Sequence, residues 1–193
     1  MNAIAVLRAQ LDGSFELINE VASETSDAEW TAQVLSDMNP PGFTLWHCVR
    51  CIDWAINCEI RGAEEVAGQT EWKGRLAQDA WFGYEVSLDK ACEVAVSVSR
   101  PALLEYARDV KANVTPWLDT ISEDELEAVP DIDRNYRSSA MYTNVPQLDR
   151  WIEEDAGTPA WRLLAGACIG HVRTHAGEVR AQNQIFRTTA KAT

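Results

Sequence analysis

Two histidines, His171 and His175, stand four residues apart in the stretch GHVRTHAGEV at 170–179. On a helix they are displaced by about 40° around the axis, so both imidazoles can point at one ion. Neutral imidazole ligates zinc, nickel, iron or copper, and a third protein ligand would leave a position for water or substrate. The remaining histidine, His47, lies far upstream in TLWHCVRC. No Glu follows His171, so HVRTH is not the HExxH pattern of zinc proteases. The stripe that carries His171 and His175 also carries Leu164 and Cys168, which turns both histidines toward the core. An unpaired polar group there costs roughly 1–3 kcal/mol, and a shared metal would satisfy the two together.

Other reactive residues cluster around the same segments. Cys51 follows His47 by four residues and Cys168 precedes His171 by three, so either is placed to be an extra ligand or a reactive thiol, against a default of core packing. Cys48 and Cys51 spell CxxC, but inside a helical pattern with no preceding strand of a thioredoxin-like unit. Glu178, three residues after His175, can hydrogen-bond a ligand or act as a base. Trp46 and Trp54 flank His47 as candidates for a pocket wall, with packing the commoner role of Trp. No Ser-His-Asp set, phosphate loop or dinucleotide fingerprint appears, and the catalytic residues stay unassigned.

The elements that must position these residues read as helices. Ile4, Leu7, Leu11, Phe15, Ile18 and Val21 form one stripe over about 3–22. SDAE at 26–29 is a capping box, and NPPG at 39–42 breaks the chain before a second helix, with Thr44 as N-cap and His47 in its first turn. At that place the helix dipole disfavours an added proton on the imidazole. Gly62 ends this helix, and 63–98 reads as an irregular connection with one short helix. A third helix starts at Ser99 and Pro101, to be kinked or ended by Pro116. SEDEL at 122–126 is another capping box; 127–157 reads as loop-rich, with YRSSAMYTNV extended. Thr158 and Pro159 open the fourth helix, whose buried stripe runs from Trp161 through Leu164, Cys168, His171, His175, Val179 and Gln182 to about Phe186. The expectation is an all-α four-helix bundle with long connections, forming one domain over 1–193.

Charge and composition narrow the partners. With 46% hydrophobic and 24% charged residues the chain reads as globular, with disorder confined to the terminal TTAKAT. A formal charge of −13 with no compensating basic cluster disfavours nucleic acid. No apolar run is long enough to span a bilayer and the N-terminus lacks a leader pattern, so the expected place is the cytoplasm. Five cysteines, odd in number and mostly in apolar segments, suit reduced thiols.

In the order of its motifs the chain resembles the DinB-like (YfiT-like) metalloenzymes. The resemblance rests on an early helix with a lone histidine, FTLWHCVRCIDW; on HxxxH followed by a small residue and Gly, HVRTHAGEV; and on LEYARDVKANVTPWLDTISEDEL, similar to that family's third helix and following turn. Residues 63–98 and 127–157 fit no pattern of that family. The resemblance implies that His47, His171 and His175 form a metal triad in a commonly dimeric bundle that binds divalent nickel, zinc or iron. Its relatives include transferases and isomerases that use a low-molecular-weight thiol. The expected function is therefore a metal-dependent thiol S-transferase or hydrolase acting on a small molecule, in which the ion lowers the pKa of a thiol or water. The alternative is a non-catalytic, metal-stabilised or metal-sensing dimeric bundle.

Overall fold

The computed structural model describes residues 3–190, and these are helices, turns and loops without a strand among them. Helix α1 (Ala3–Glu24) buries Leu11, Phe15, Ile18 and Val21, the stripe read from the sequence. The short α2 (Asp27–Trp30) starts with the predicted capping box, Ser26 accepting from the Glu29 amide while the Glu29 carboxylate accepts from the Ser26 amide.

Helix α3 (Pro41–Asp53) starts earlier than expected. Pro40 takes the N-cap position and Pro41 the first turn, where its missing N–H is no loss, so NPPG opens the helix instead of only preceding it. Thr44 lies inside, its hydroxyl bonded back to the Pro40 carbonyl, and His47 therefore sits in the second turn, beyond the strongest reach of the helix dipole. The start is fixed by a close approach: a Cβ on Gly42 would lie 2.4 Å from Trp30 Nε1, so only glycine lets the first turn of α3 rest on that indole. The helix then widens into a π-helical turn, Trp54–Ile60, and ends at Gly62, whose φ of +59° is the left-handed terminator foreseen.

The connection over 63–98 holds 3-10 turns at Val66–Gly68 and Gln78–Ala80 and one helix, α4 (Leu88–Ser97). Ser99 caps α5 (Arg100–Thr120), which neither stops at Pro116 nor loses its last turn; the Thr120 hydroxyl bonds to the carbonyls of Pro116 and Trp117. Pro116 lacks only the N–H that would bond the Ala112 carbonyl one turn back, so the turn that follows it still forms. The capping box at Ser122 opens α6 (Glu123–Glu127) as expected.

Between 127 and 157 the chain is more helical than its punctuation suggested. Helix α7 (Ile132–Ser138) and a 3-10 turn at Ala140–Tyr142 replace the extended YRSSAMYTNV, and α8 (Leu148–Asp155) stands where loop was expected. Each is short, with Ile132, Tyr136 and Tyr142 inward, and only α8 shows a helical period, Leu148, Trp151 and Ile152 at i, i+3 and i+4. The last helix is in three parts: α9 (Ala160–Ala165), a π-helical turn at Gly166–Gly170, and α10 (His171–Ala190). The extra residue in the π turn shifts the buried stripe by one position ahead of it, so Ala160 is buried and Trp161, expected on the inner face, is 40% exposed. Residues 188–190 of the terminal stretch are helical; 191–193 lie outside the described residues.

α1, α3, α5 and α10 pack on one another around a continuous apolar cluster running from Leu11 to Val179. Fully buried Leu45, Ile52 and Val110 are typical of it, each such side chain stabilising the fold by about 1.5–3 kcal/mol relative to exposure. Among the described residues no helix is long and apolar enough to cross a membrane.

Within this bundle lies a buried ionic cluster. Arg50, with no exposed surface, is 3.2 Å from Asp53 and 2.8 Å from Glu65, and it donates to the Tyr106 hydroxyl at 2.8 Å. Tyr106 in turn donates to Asp53, Tyr142 donates to Glu65, and the amides of Val66 and Ala67 donate to Asp53. The cluster thus ties α3, the 66–68 turn, α5 and the 140–142 turn together, with its charges compensated by neighbours as buried charges require.

Candidate metal centre

His47 comes from α3, and His171 and His175 from the first turns of α10; the bundle brings all three imidazoles together. His47 Nε2 lies 3.1 Å from His171 Nε2, and His175 Nε2 lies 2.9 Å from the same atom. The rings meet edge to face, with interplanar angles of 74° to 87°, so their nitrogens converge from different directions.

Two of the three tautomers are fixed by what the other nitrogen touches. His47 Nδ1 is 2.5 Å from the Phe82 carbonyl, which only accepts, so Nδ1 carries the proton and Nε2 the lone pair. His175 Nδ1 is 2.5 Å from the Glu178 carboxylate, with the same consequence. His171 Nδ1 is turned toward the Ala167 carbonyl without reaching hydrogen-bond geometry. Two lone pairs therefore face His171 Nε2, which can donate at most one proton. Burial, reinforced by repulsion from His171, lowers the pKa of His47 to about 3, and burial with repulsion from His175 lowers that of His171 to about 4. Both imidazoles are neutral near pH 7 and available as ligands.

The loop ahead of α4 is shaped around His47. Gly83 has φ of +91°, and a Cβ there would lie 2.8 Å from His47 Nδ1 and 2.9 Å from the Trp46 ring. Glycine is required on both counts, for the left-handed backbone and for the close approach. Trp81 and Glu85, neither of them glycine, also adopt positive φ, so strain collects in the segment that delivers the Phe82 carbonyl.

Cys51 adds a thiol to the group. The ligand atoms of His47, Cys51 and His171 all lie within 4.8 Å of one another, and this His2Cys set can hold a metal ion. It differs from the three histidines expected from the sequence, since Cys51 stands in it and His175 stands beside it. Cys51 Sγ is 3.5 Å from His47 Nδ1 and 3.7 Å from Nε2. Nearly equal distances put the sulfur beside the imidazole, off the axis of the Nε2 lone pair. Burial pushes this thiol well above its ordinary pKa.

The chain matches the DinB superfamily over residues 10–179. It belongs to that superfamily. No curated protein and no solved structure matches it.

In this DinB superfamily member a cavity of about 280 Å³ opens onto His47, Cys51 and His171. Its walls include Trp54, Phe82 and Trp151. Of the two tryptophans singled out by sequence, Trp54 lines the cavity, whereas Trp46 is fully buried and donates to the Leu76 carbonyl, a packing role. Cys168 is likewise fully buried and outside both the metal group and the cavity wall. All five cysteines are free thiols. Sequence reasoning missed Phe82, Gly83, Tyr84, Trp151 and Asp155; the aromatic residues around Phe82 were visible, but only the fold shows that they close on His47.

Proposed function

We propose that the chain is a divalent-metal-dependent enzyme in which His47, His171 and His175 hold the ion and a small molecule enters through the adjoining cavity. The observation that carries this reading is the convergence of the Nε2 atoms at 3.1 and 2.9 Å with two Nδ1 protons already committed to acceptors. His171 Nε2–H can satisfy at most one of the two contacts, so at least one pair of lone pairs stays opposed unless a cation lies among them, and a carboxylate behind a ligating imidazole is a common support in metal sites.

When bound, nickel, zinc or iron would supply Lewis acidity, lowering the pKa of a thiol or water at neutral pH. The protein's own groups do the rest. Phe82 and Glu178 hold two imidazoles in the ligating tautomer, the aromatic walls exclude water, and the cavity leaves one side of the site accessible. That accessible side favours thiol S-transfer or hydrolysis on a small molecule over a closed structural site.

The test is to load the purified chain with each ion and assay transfer of low-molecular-weight thiols to electrophiles, alongside hydrolysis of activated esters and amides. Turnover lost in His171→Ala supports the proposal. A fully metallated chain that accelerates neither class of reaction would overturn it and leave a metal-stabilised bundle.

A further inference from the structure

The cavity that reaches the imidazoles has a wall of unusual make-up. Trp54, Phe82, Tyr84 and Trp151 provide four aromatic rings, and the charged side chains on the wall are acidic, Glu154 and Asp155; no Lys or Arg among the described residues lines it. Phe82 meets Trp151 at 4.9 Å and 60°, and Tyr84 meets Trp151 at 6.0 Å and 54°. Phe82 also stacks on Trp54 at 4.0 Å and 6° and lies near parallel to Tyr84 at 6.1 Å and 10°, so the rings form two walls that meet at an angle, Trp54, Phe82 and Tyr84 on one side and Trp151 on the other. Aromatic faces are electronegative, so a cation among them is attracted while an anion is not.

The carboxylates strengthen the same preference. Among the described residues neither Glu154 nor Asp155 takes part in a salt bridge of 4.0 Å or less; Glu154 accepts only a 3.3 Å bond from the Tyr84 hydroxyl. Next to Asp155 is Glu59, which is fully buried and also close to Tyr136. Burial, with the neighbouring Asp155 carboxylate, raises the pKa of Glu59 well above the ordinary carboxylate value, and burial raises that of Asp155 too. The acidic side chains on this wall are thus Asp155 and Glu154, and among the described residues no Lys or Arg pairs with either within 4.0 Å.

We propose that the cavity binds the ammonium-bearing end of a small organic substrate, a quaternary amine by preference, and presents the remainder of that molecule to His47 and His171. A quaternary nitrogen fits better than a primary one because rings satisfy a methylated cation, whereas a primary ammonium needs three hydrogen-bond acceptors. The volume, about 280 Å³, suits a compact ligand. This substrate class rests on the enzymatic reading above, but the cavity's charge preference can be measured without turnover.

Trp54 and Trp151 on the wall make tryptophan fluorescence a direct reporter, with calorimetry as a second one. The probes are choline, its uncharged carbon isostere neohexanol, and the matching carboxylate tert-butylacetate. They are titrated into the full chain before and after chelation, and the charge order is read on the metal-free chain because a bound ion would itself attract the carboxylate. Choline is expected to bind about tenfold more tightly than neohexanol, with the carboxylate weakest. Asp155→Asn and Tyr84→Leu should each shrink that advantage while leaving metal content unchanged. Equal binding of choline and neohexanol, tightest binding of the carboxylate, or no binding of any probe at millimolar concentration would overturn the proposal. A choline preference in a chain that takes up no metal would remove the metal-dependent reading and keep this one; full metallation without a choline preference would do the reverse.

Discussion

His47 and Arg50, one helical turn apart on α3, donate to the carbonyls of consecutive residues: His47 Nδ1 to Phe82 at 2.5 Å and Arg50 Nε to Trp81 at 2.9 Å. The guanidinium that anchors the buried ionic cluster thus also anchors the strained loop that orients the imidazole. Stability and site geometry share one attachment point.

Arg50→Ala should therefore act twice. It leaves Asp53 and Glu65 buried without their cation, which costs about 3–5 kcal/mol, and it frees the Trp81 carbonyl. Urea unfolding of the metal-free chain measures the first effect, and metal affinity the second. A loss of stability below about 1 kcal/mol would mean that the cluster is not the anchor described.

Gly83→Ala should damage the centre more than the fold. The added Cβ would press on His47 Nδ1 and the Trp46 ring and would sit at unfavourable φ, so a loss of about 1–3 kcal/mol is expected together with weaker metal binding. Unchanged metal affinity in a folded G83A protein would show that the loop does not set the imidazole.

Glu178→Gln tests the support behind His175. The amide still fits, yet it no longer demands a proton on Nδ1, and metal affinity should fall by about 10–100-fold with little change in thermal stability. Equal affinity in wild type and variant would demote Glu178 to a surface residue.

Acid should destabilise the metal-free chain through its histidines. The folded pKa values, about 3 for His47 and about 4 for His171, lie below the ordinary 6.5, so the unfolded chain takes up protons first as pH falls. Their contribution is complete above pH 6.5 and is lost progressively from there toward pH 4 and 3. Thermal midpoints measured from pH 8 to 4 should decline less steeply in His47→Gln/His171→Gln than in wild type. Identical slopes would show that these imidazoles are not buried in neutral form.

Much of this arrangement was legible beforehand, for identifiable reasons. The stripe of α1 and the capping boxes at Ser26 and Ser122 depend on neighbours in sequence, and they appear as read. So does the all-α bundle. The start of α3 was misplaced because Pro40 and Pro41 serve equally as breaker and helix opener. Trp161 was misassigned because a π turn changes the period without a distinctive residue pattern. Of the cavity wall only Trp54 was legible, since Phe82 and Tyr84 come from an irregular connection and Trp151 from a separate short helix, joined only in space. Cys51 was visible as four residues from His47, but its position beside the ring depends on the rotamer that Phe82 and Gly83 impose.

The central proposal is that the three imidazoles hold the metal, whereas the ligand atoms within 4.8 Å of one another are those of His47, Cys51 and His171. The most direct measurement is metal content by elemental analysis, without a polyhistidine tag, for wild type, His175→Ala and Cys51→Ala. The account predicts about one nickel, zinc or iron per chain in wild type and in Cys51→Ala, and loss of it in His175→Ala. Retention in His175→Ala with loss in Cys51→Ala would place the ion on His47, Cys51 and His171 instead, and a wild-type chain that takes up no ion would contradict the claim outright.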